Sequence, residues 1–72
     1  MAKRFPVVPR GFETAQVDQL FDRVEEVLSN GDAEARAAVR QELSSTVFEF
    51  AVKGYSPTDV AMGVDQRLAA LA

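Results

Sequence analysis

The chain has 72 residues, with no Cys, His or Trp, a net charge of −3, and 47% apolar against 26% charged residues. That composition suits one small globular domain and leaves no room for a second. Without thiol or imidazole side chains there is no zinc, haem or iron–sulfur ligation and no Cys or His catalysis, so no metal or cofactor is expected.

Ordering such a chain costs on the order of 100 kcal/mol of conformational entropy, which a small core barely offsets without disulfides or metal; help from a partner chain is therefore expected. The acidic balance argues against nucleic acid, whose phosphates need clustered cations. The charge is unevenly placed. Lys3, Arg4 and Arg10 precede the first acid, Glu13, leaving five basic residues among all eleven acidic ones. No apolar run reaches the ~18 to 20 residues of a membrane span, and the N-terminus lacks the apolar core of a signal peptide. The default compartment is the cytoplasm.

Residues 1–12 mix two prolines and a glycine with apolar residues, which disfavours helix and predicts an extended arm. From Glu13 onward Val17, Leu20, Phe21, Val24, Val27 and Leu28 recur at helical spacing over an arc of roughly 120°. Glu13 or Thr14 caps this first helix, and Asn30-Gly31 offers a left-handed stop. Asp32 caps a second helix with a narrower stripe of Ala35, Val39, Leu43 and Val47, which Ser44, Ser45 and Thr46 weaken but which could run on to Phe50. Lys53-Gly54-Tyr55 reads as a break. Ser56-Pro57-Thr58-Asp59 then starts a third helix, with Val60, Ala61, Val64, Leu68 and Leu71 on its buried side and Gly63 as a notch for a backbone or aromatic ring. The expected fold class is all-α, a small three-helix bundle with an extended N-terminal arm, in one domain spanning residues 1–72.

Shifting the sequence by 43 positions superposes Phe5 on Phe48, Arg10 on Lys53, Gly11 on Gly54, Phe12 on Tyr55, Val17 on Val60 and Asp22 on Asp65. Each half reads aromatic, basic, Gly, aromatic, cap, helix. A glycine turns the chain, the aromatic plugs the end of the domain, and a polar residue caps the helix. The half-motifs cover 5–28 and 48–71, although many helix N-termini share this look and four identities in twenty positions do not decide between duplication and chance.

Phe5-(x4)-Arg10-Gly11-Phe12-Glu13-(x3)-Val17-Asp18-(x2)-Phe21-Asp22-(x)-Val24 resembles the N-terminal signature of the DivIVA-domain family, and Phe48 to Arg67 resembles it more weakly. The resemblance implies a non-catalytic bacterial cell-division or polar-growth protein that recruits partners or touches curved membrane, at the septum or pole. Phe12 stands for the usual Tyr, Glu13 for the usual Asp, and Ala61 for the acid of the second Val-Asp pair. Family members continue into a long coiled coil. A chain ending at Ala72 is closer to the small two-motif relatives.

Two surfaces are candidates for contact. One is the arm, Phe5, Val7, Val8 and Arg10 with Lys3 and Arg4 beside it, whose apolar residues flanked by cations suit an anionic membrane. The alternative there is that Phe5 and Val7 cover the helical hairpin, which is favoured for Phe5 and left open for Val7 and Val8. The other is the first helix, with Gln16, Gln19, Leu20, Arg23 and Glu26. Docking on a protein partner or a second copy is expected to be sensitive to Leu20→Asp or Val24→Asp. Asp18, Asp22 and Glu25 form an acidic stripe that is solvated or partner-facing, with Arg36 and Arg40 as candidate ion-pair partners. Phe12 and Tyr55 read as core. No nucleophile–base pair or phosphate loop is present, so neither an enzyme nor a small-molecule substrate is expected.

Overall fold

In a computed structural model, which describes residues 4–72, the order of elements is β1 (Val7–Pro9), α1 (Thr14–Asn30), α2 (Ala33–Ser45), β2 (Lys53–Tyr55) and α3 (Pro57–Leu71). The chain is mainly helical. The all-α expectation is corrected by a small antiparallel sheet, in which Val7, Val8 and Pro9 pair with Tyr55, Gly54 and Lys53. The arm is therefore one strand of a ribbon, and the expected break at Lys53–Tyr55 is the other. Lys3 lies outside the described residues.

Each helix starts and stops for local reasons. Glu13 caps α1, its carboxylate accepting from the Ala15 N–H at 3.1 Å, and Asp32 caps α2 through the Ala35 N–H at 2.8 Å. Gly31 has φ −78° and ψ 148°, so α1 ends in extended backbone and not in the left-handed stop that Asn30-Gly31 offered. The second helix ends at Ser45 and does not run on to Phe50. The hydroxyls of Ser44 and Ser45 donate to the Gln41 carbonyl, and that of Thr46 to the Glu42 carbonyl at 2.6 Å, a local alternative to further helical turns. Val47, expected on the apolar stripe, is 85% exposed as a result. Pro57 opens α3, but the Ser56 side chain makes no capping bond.

One core joins all three helices: Val17, Leu20, Phe21 and Val24 of α1, Val39 and Leu43 of α2, Val60 and Leu71 of α3, and Phe48 and Tyr55 between them. Of the residues placed on the buried side of α3, Val64 and Leu68 pack at its edge and Ala61 is exposed. The Gly63 notch is filled by an aromatic ring: a Cβ there would lie 2.7 Å from Phe5 Cζ. Phe5 in turn stands edge-on to Phe21 and Tyr55, with ring centroids 5.4 and 5.5 Å away.

The two half-motifs face each other, and their contacts exchange under the 43-residue shift. The Ser56 N–H donates to the Pro6 carbonyl at 2.9 Å, and at shifted positions the Glu13 N–H donates to the Glu49 carbonyl at 2.8 Å. The pair Val7 and Tyr55 becomes the bridge between Phe50 and Phe12. Phe12 and Tyr55 map onto each other and exchange both backbone bonds, at 2.8 and 2.9 Å. The Phe5–Tyr55 ring pair at 5.5 Å becomes Phe48–Phe12 at 5.3 Å. Across the clasp the bridges therefore run Val7, Tyr55, Phe12, Phe50 in lateral order. The two segments cross at Gly11 and Gly54. A Cβ on Gly11 would lie 2.2 Å from the Gly54 carbonyl, and one on Gly54 would lie 2.1 Å from the Phe12 oxygen, so only glycine lets the backbones pass.

Candidate interaction surface

Above this crossing, the segments 6–10, which include β1, and 49–53, which lead into β2, form an exposed crown. Val7 is 43%, Phe50 70% and Val52 87% exposed, and Pro9, Arg10 and Lys53 are exposed with them. Arg10, Phe50, Ala51 and Val52 line one shallow cleft. Arg10 is held by a 2.8 Å bond from its N–H to the Val52 carbonyl, and its φ of 57° places it in the left-handed region. That conformation costs a non-glycine residue about 1 kcal/mol and is kept only where surrounding bonds enforce it. Each segment carries an apolar residue three positions before a cation: Val7 before Arg10, and Phe50 before Lys53.

The two-fold exchange breaks below the crown. On one side Arg4 spans the acidic stripe. Its Nη1 donates to Asp18 Oδ1 at 3.2 Å and to the Asp18 carbonyl at 3.3 Å, and its Nη2 reaches Asp22 at 2.7 Å and Glu25 at 3.5 Å. Arg67 adds a 3.3 Å contact to Glu25, and both guanidinium groups lie over the Phe21 ring, at 5.7 and 5.0 Å. The Tyr55 hydroxyl donates to Asp18 at 2.9 Å. Burial and that bond raise the Tyr55 phenol above its ordinary value. Burial works against the charge on Arg4, but the bond to Asp22 and the charges of Glu25, Asp22 and Asp18 outweigh it and raise its pKa. The stripe is thus paired with Arg4 and Arg67. Of the two arginines expected there, Arg36 donates instead to the Leu28 carbonyl at 3.4 Å. At the shifted positions Val47, Ala61 and Phe12 replace Arg4, Asp18 and Tyr55, and the polar lock has no counterpart.

The expected contact residues separate into three groups. Val7 and Arg10 belong to the crown. Val8 is half-buried in the ribbon, and Phe5 is half-buried and packed against the core. Along α1, Gln19 and Glu26 are exposed, Arg23 pairs with Glu42 at 2.7 Å, and Gln16 accepts from the Glu49 N–H at 2.8 Å and so braces the second segment. Leu20, expected at the contact surface, is 3% exposed, and Val24 is fully buried. Aspartate at either position tests folding and not docking. Among the described residues, no group of three or more His, Cys, Asp or Glu could hold a metal ion.

The chain matches no family model, no curated protein and no solved structure.

Sequence reasoning missed Phe50, Val52 and Lys53: the sequence allows the second helix to run on to Phe50, and Lys53 reads as the start of a break. A signal was present. Val47-Phe48-Glu49-Phe50-Ala51-Val52 is rich in β-branched and aromatic residues and is bounded by Thr46 and Gly54, which is a strand pattern.

Proposed function

We propose that this protein is a non-catalytic adaptor that docks through the crown, with Phe50 and Val52 as apolar anchors and Arg10 and Lys53 at their flanks. The observation that carries this reading is the exposure of Phe50 and Val52 on a domain with little apolar surface to spare, beside the strained backbone of Arg10. The motif resemblance to DivIVA-domain proteins supports a role in bacterial cell division or polar growth. The pairing of apolar residues with two cations also supports a second reading, binding to an anionic membrane surface, where each cation contributes about 1 kcal/mol. No helix among the described residues is long and apolar enough to cross a membrane.

The test places a photo-crosslinking residue at Val52 or, as a control, at Glu34 on the exposed face of α2, in producing cells. Protein adducts specific to Val52 that Phe50→Ser abolishes support the adaptor. Co-sedimentation with anionic vesicles over a salt series tests the second reading, since membrane binding weakens with salt while apolar docking tolerates it. Absence of both adducts and pelleting refutes both.

A further inference from the structure

We infer that the crown takes its partner as an added β-strand: an extended apolar segment of another protein, with carboxylates at its N-terminal end, pairs antiparallel with an open backbone edge at Phe50. This rests on the crown being the docking surface and names what docks there. Residues 49–51 run beside 11–13, where the Glu13 N–H donates to the Glu49 carbonyl and the Ala51 N–H to the Gly11 carbonyl, both at 2.8 Å. Successive residues of a strand turn their N–H and carbonyl groups to opposite sides, so those of Phe50 face outward. Neither has a partner among the described residues, and nor has the Val52 N–H two positions on.

The clasp has two outer edges, and the chain closes only one of them. Val7, the counterpart of Phe50 under the 43-residue shift, is followed two positions on by Pro9, which has no N–H to offer an incoming strand. Proline in this place blunts an edge against further pairing. Residues 46–56 contain no proline. The open edge also carries the exposed side chains of Phe50 and Val52, against which a strand laid there sets its own alternate residues. Every ladder already present is antiparallel, and a strand added in that sense has its N-terminal end at Val52. Beside Val52 stand Lys53, next in the chain, and Arg10, whose N–H bonds the Val52 carbonyl. Neither cation makes an ion pair among the described residues, so carboxylates at that end of the segment answer them. Exposed Glu49 at the other end disfavours acids there. A lipid surface would strip water from the Phe50 N–H and carbonyl without replacing it, whereas a strand supplies a partner for each.

The probe is a peptide of two acidic residues followed by alternating valine and threonine, titrated into the isotope-labelled full chain and followed by NMR. Half-saturation is expected at or below about 1 mM, with slowed hydrogen exchange at the Phe50 and Val52 amides. N-methylating the valine opposite Phe50 removes the donor to the Phe50 carbonyl and should weaken binding about tenfold; moving the acids to the other end should weaken it about threefold. No binding at about 1 mM, or equal affinity for the N-methylated peptide, overturns the proposal. Protection of the Phe50 amide that rises with protein concentration alone gives the edge to a second copy and also overturns it. Protein adducts at Val52 in cells together with a failed peptide leave the adaptor standing and remove the strand mode; the expected peptide binding without adducts does the reverse.

Discussion

Placing an alanine at Gly54 should dismantle the clasp. Its Cβ would lie 2.1 Å from the Phe12 oxygen and 2.6 Å from the Gly11 carbonyl carbon, against an ordinary contact of 3.4 Å or more. Both neighbours are backbone, so no rotamer change relieves the overlap, and the crossing must open by more than 1 Å. Opening forfeits the reciprocal bonds of Phe12 and Tyr55, at about 1 kcal/mol each, and loosens the ring pairs packed on either side. With overpacking strain, the expected loss is about 3 to 4 kcal/mol. A 72-residue domain has about 4 to 11 kcal/mol in all, so the variant approaches global unfolding, with a fall in Tm of about 12 to 32 °C. Gly63→Ala is the matched control. It meets side chains and not backbone, Phe5 Cζ at 2.7 Å and Phe21 Cε2 at 3.2 Å, and gains helix propensity of about 1 kcal/mol that offsets part of the crowding, so a clearly smaller loss than for Gly54→Ala is expected. Urea unfolding followed by circular dichroism measures both. A Gly54→Ala variant within about 0.5 kcal/mol of the wild type would refute the close-crossing argument.

Arg4→Ala should cost about 1 kcal/mol and lose most of that difference in high salt, because its carboxylate partners are substantially exposed; a salt-independent loss would mean that packing on Phe21 dominates. The raised phenol of Tyr55 binds its proton more tightly in the folded state than in the unfolded one. Its contribution is therefore complete below the unfolded value near 10 and declines as pH rises from there toward the folded value, and Tyr55→Phe should remove that alkaline decline in a pH series of unfolding curves. Val52→Ser should leave stability within about 0.5 kcal/mol while weakening crown adducts or vesicle binding. Leu20→Asp should unfold the chain outright by circular dichroism, since it would bury a carboxylate without a partner.

The helices were legible in the sequence because their signals are local: the 3.6-residue spacing of Val17 to Leu28, the Asp32 cap, and Pro57 at a helix start all act within one or two turns. The notch at Gly63 was legible too, through residue size, although not which ring fills it. The ribbon was not. A three-residue strand beside prolines has almost no propensity of its own, and Lys53-Gly54-Tyr55 becomes a strand only because Val7–Pro9 lies against it. The same holds for the crown and the Arg4 lock. Which of two similar half-sites keeps a polar lock, and which apolar residues stay in water, depends on contacts between residues 14 or more positions apart. Local sequence sets the elements, but a two-fold crossing of backbones sets what they expose.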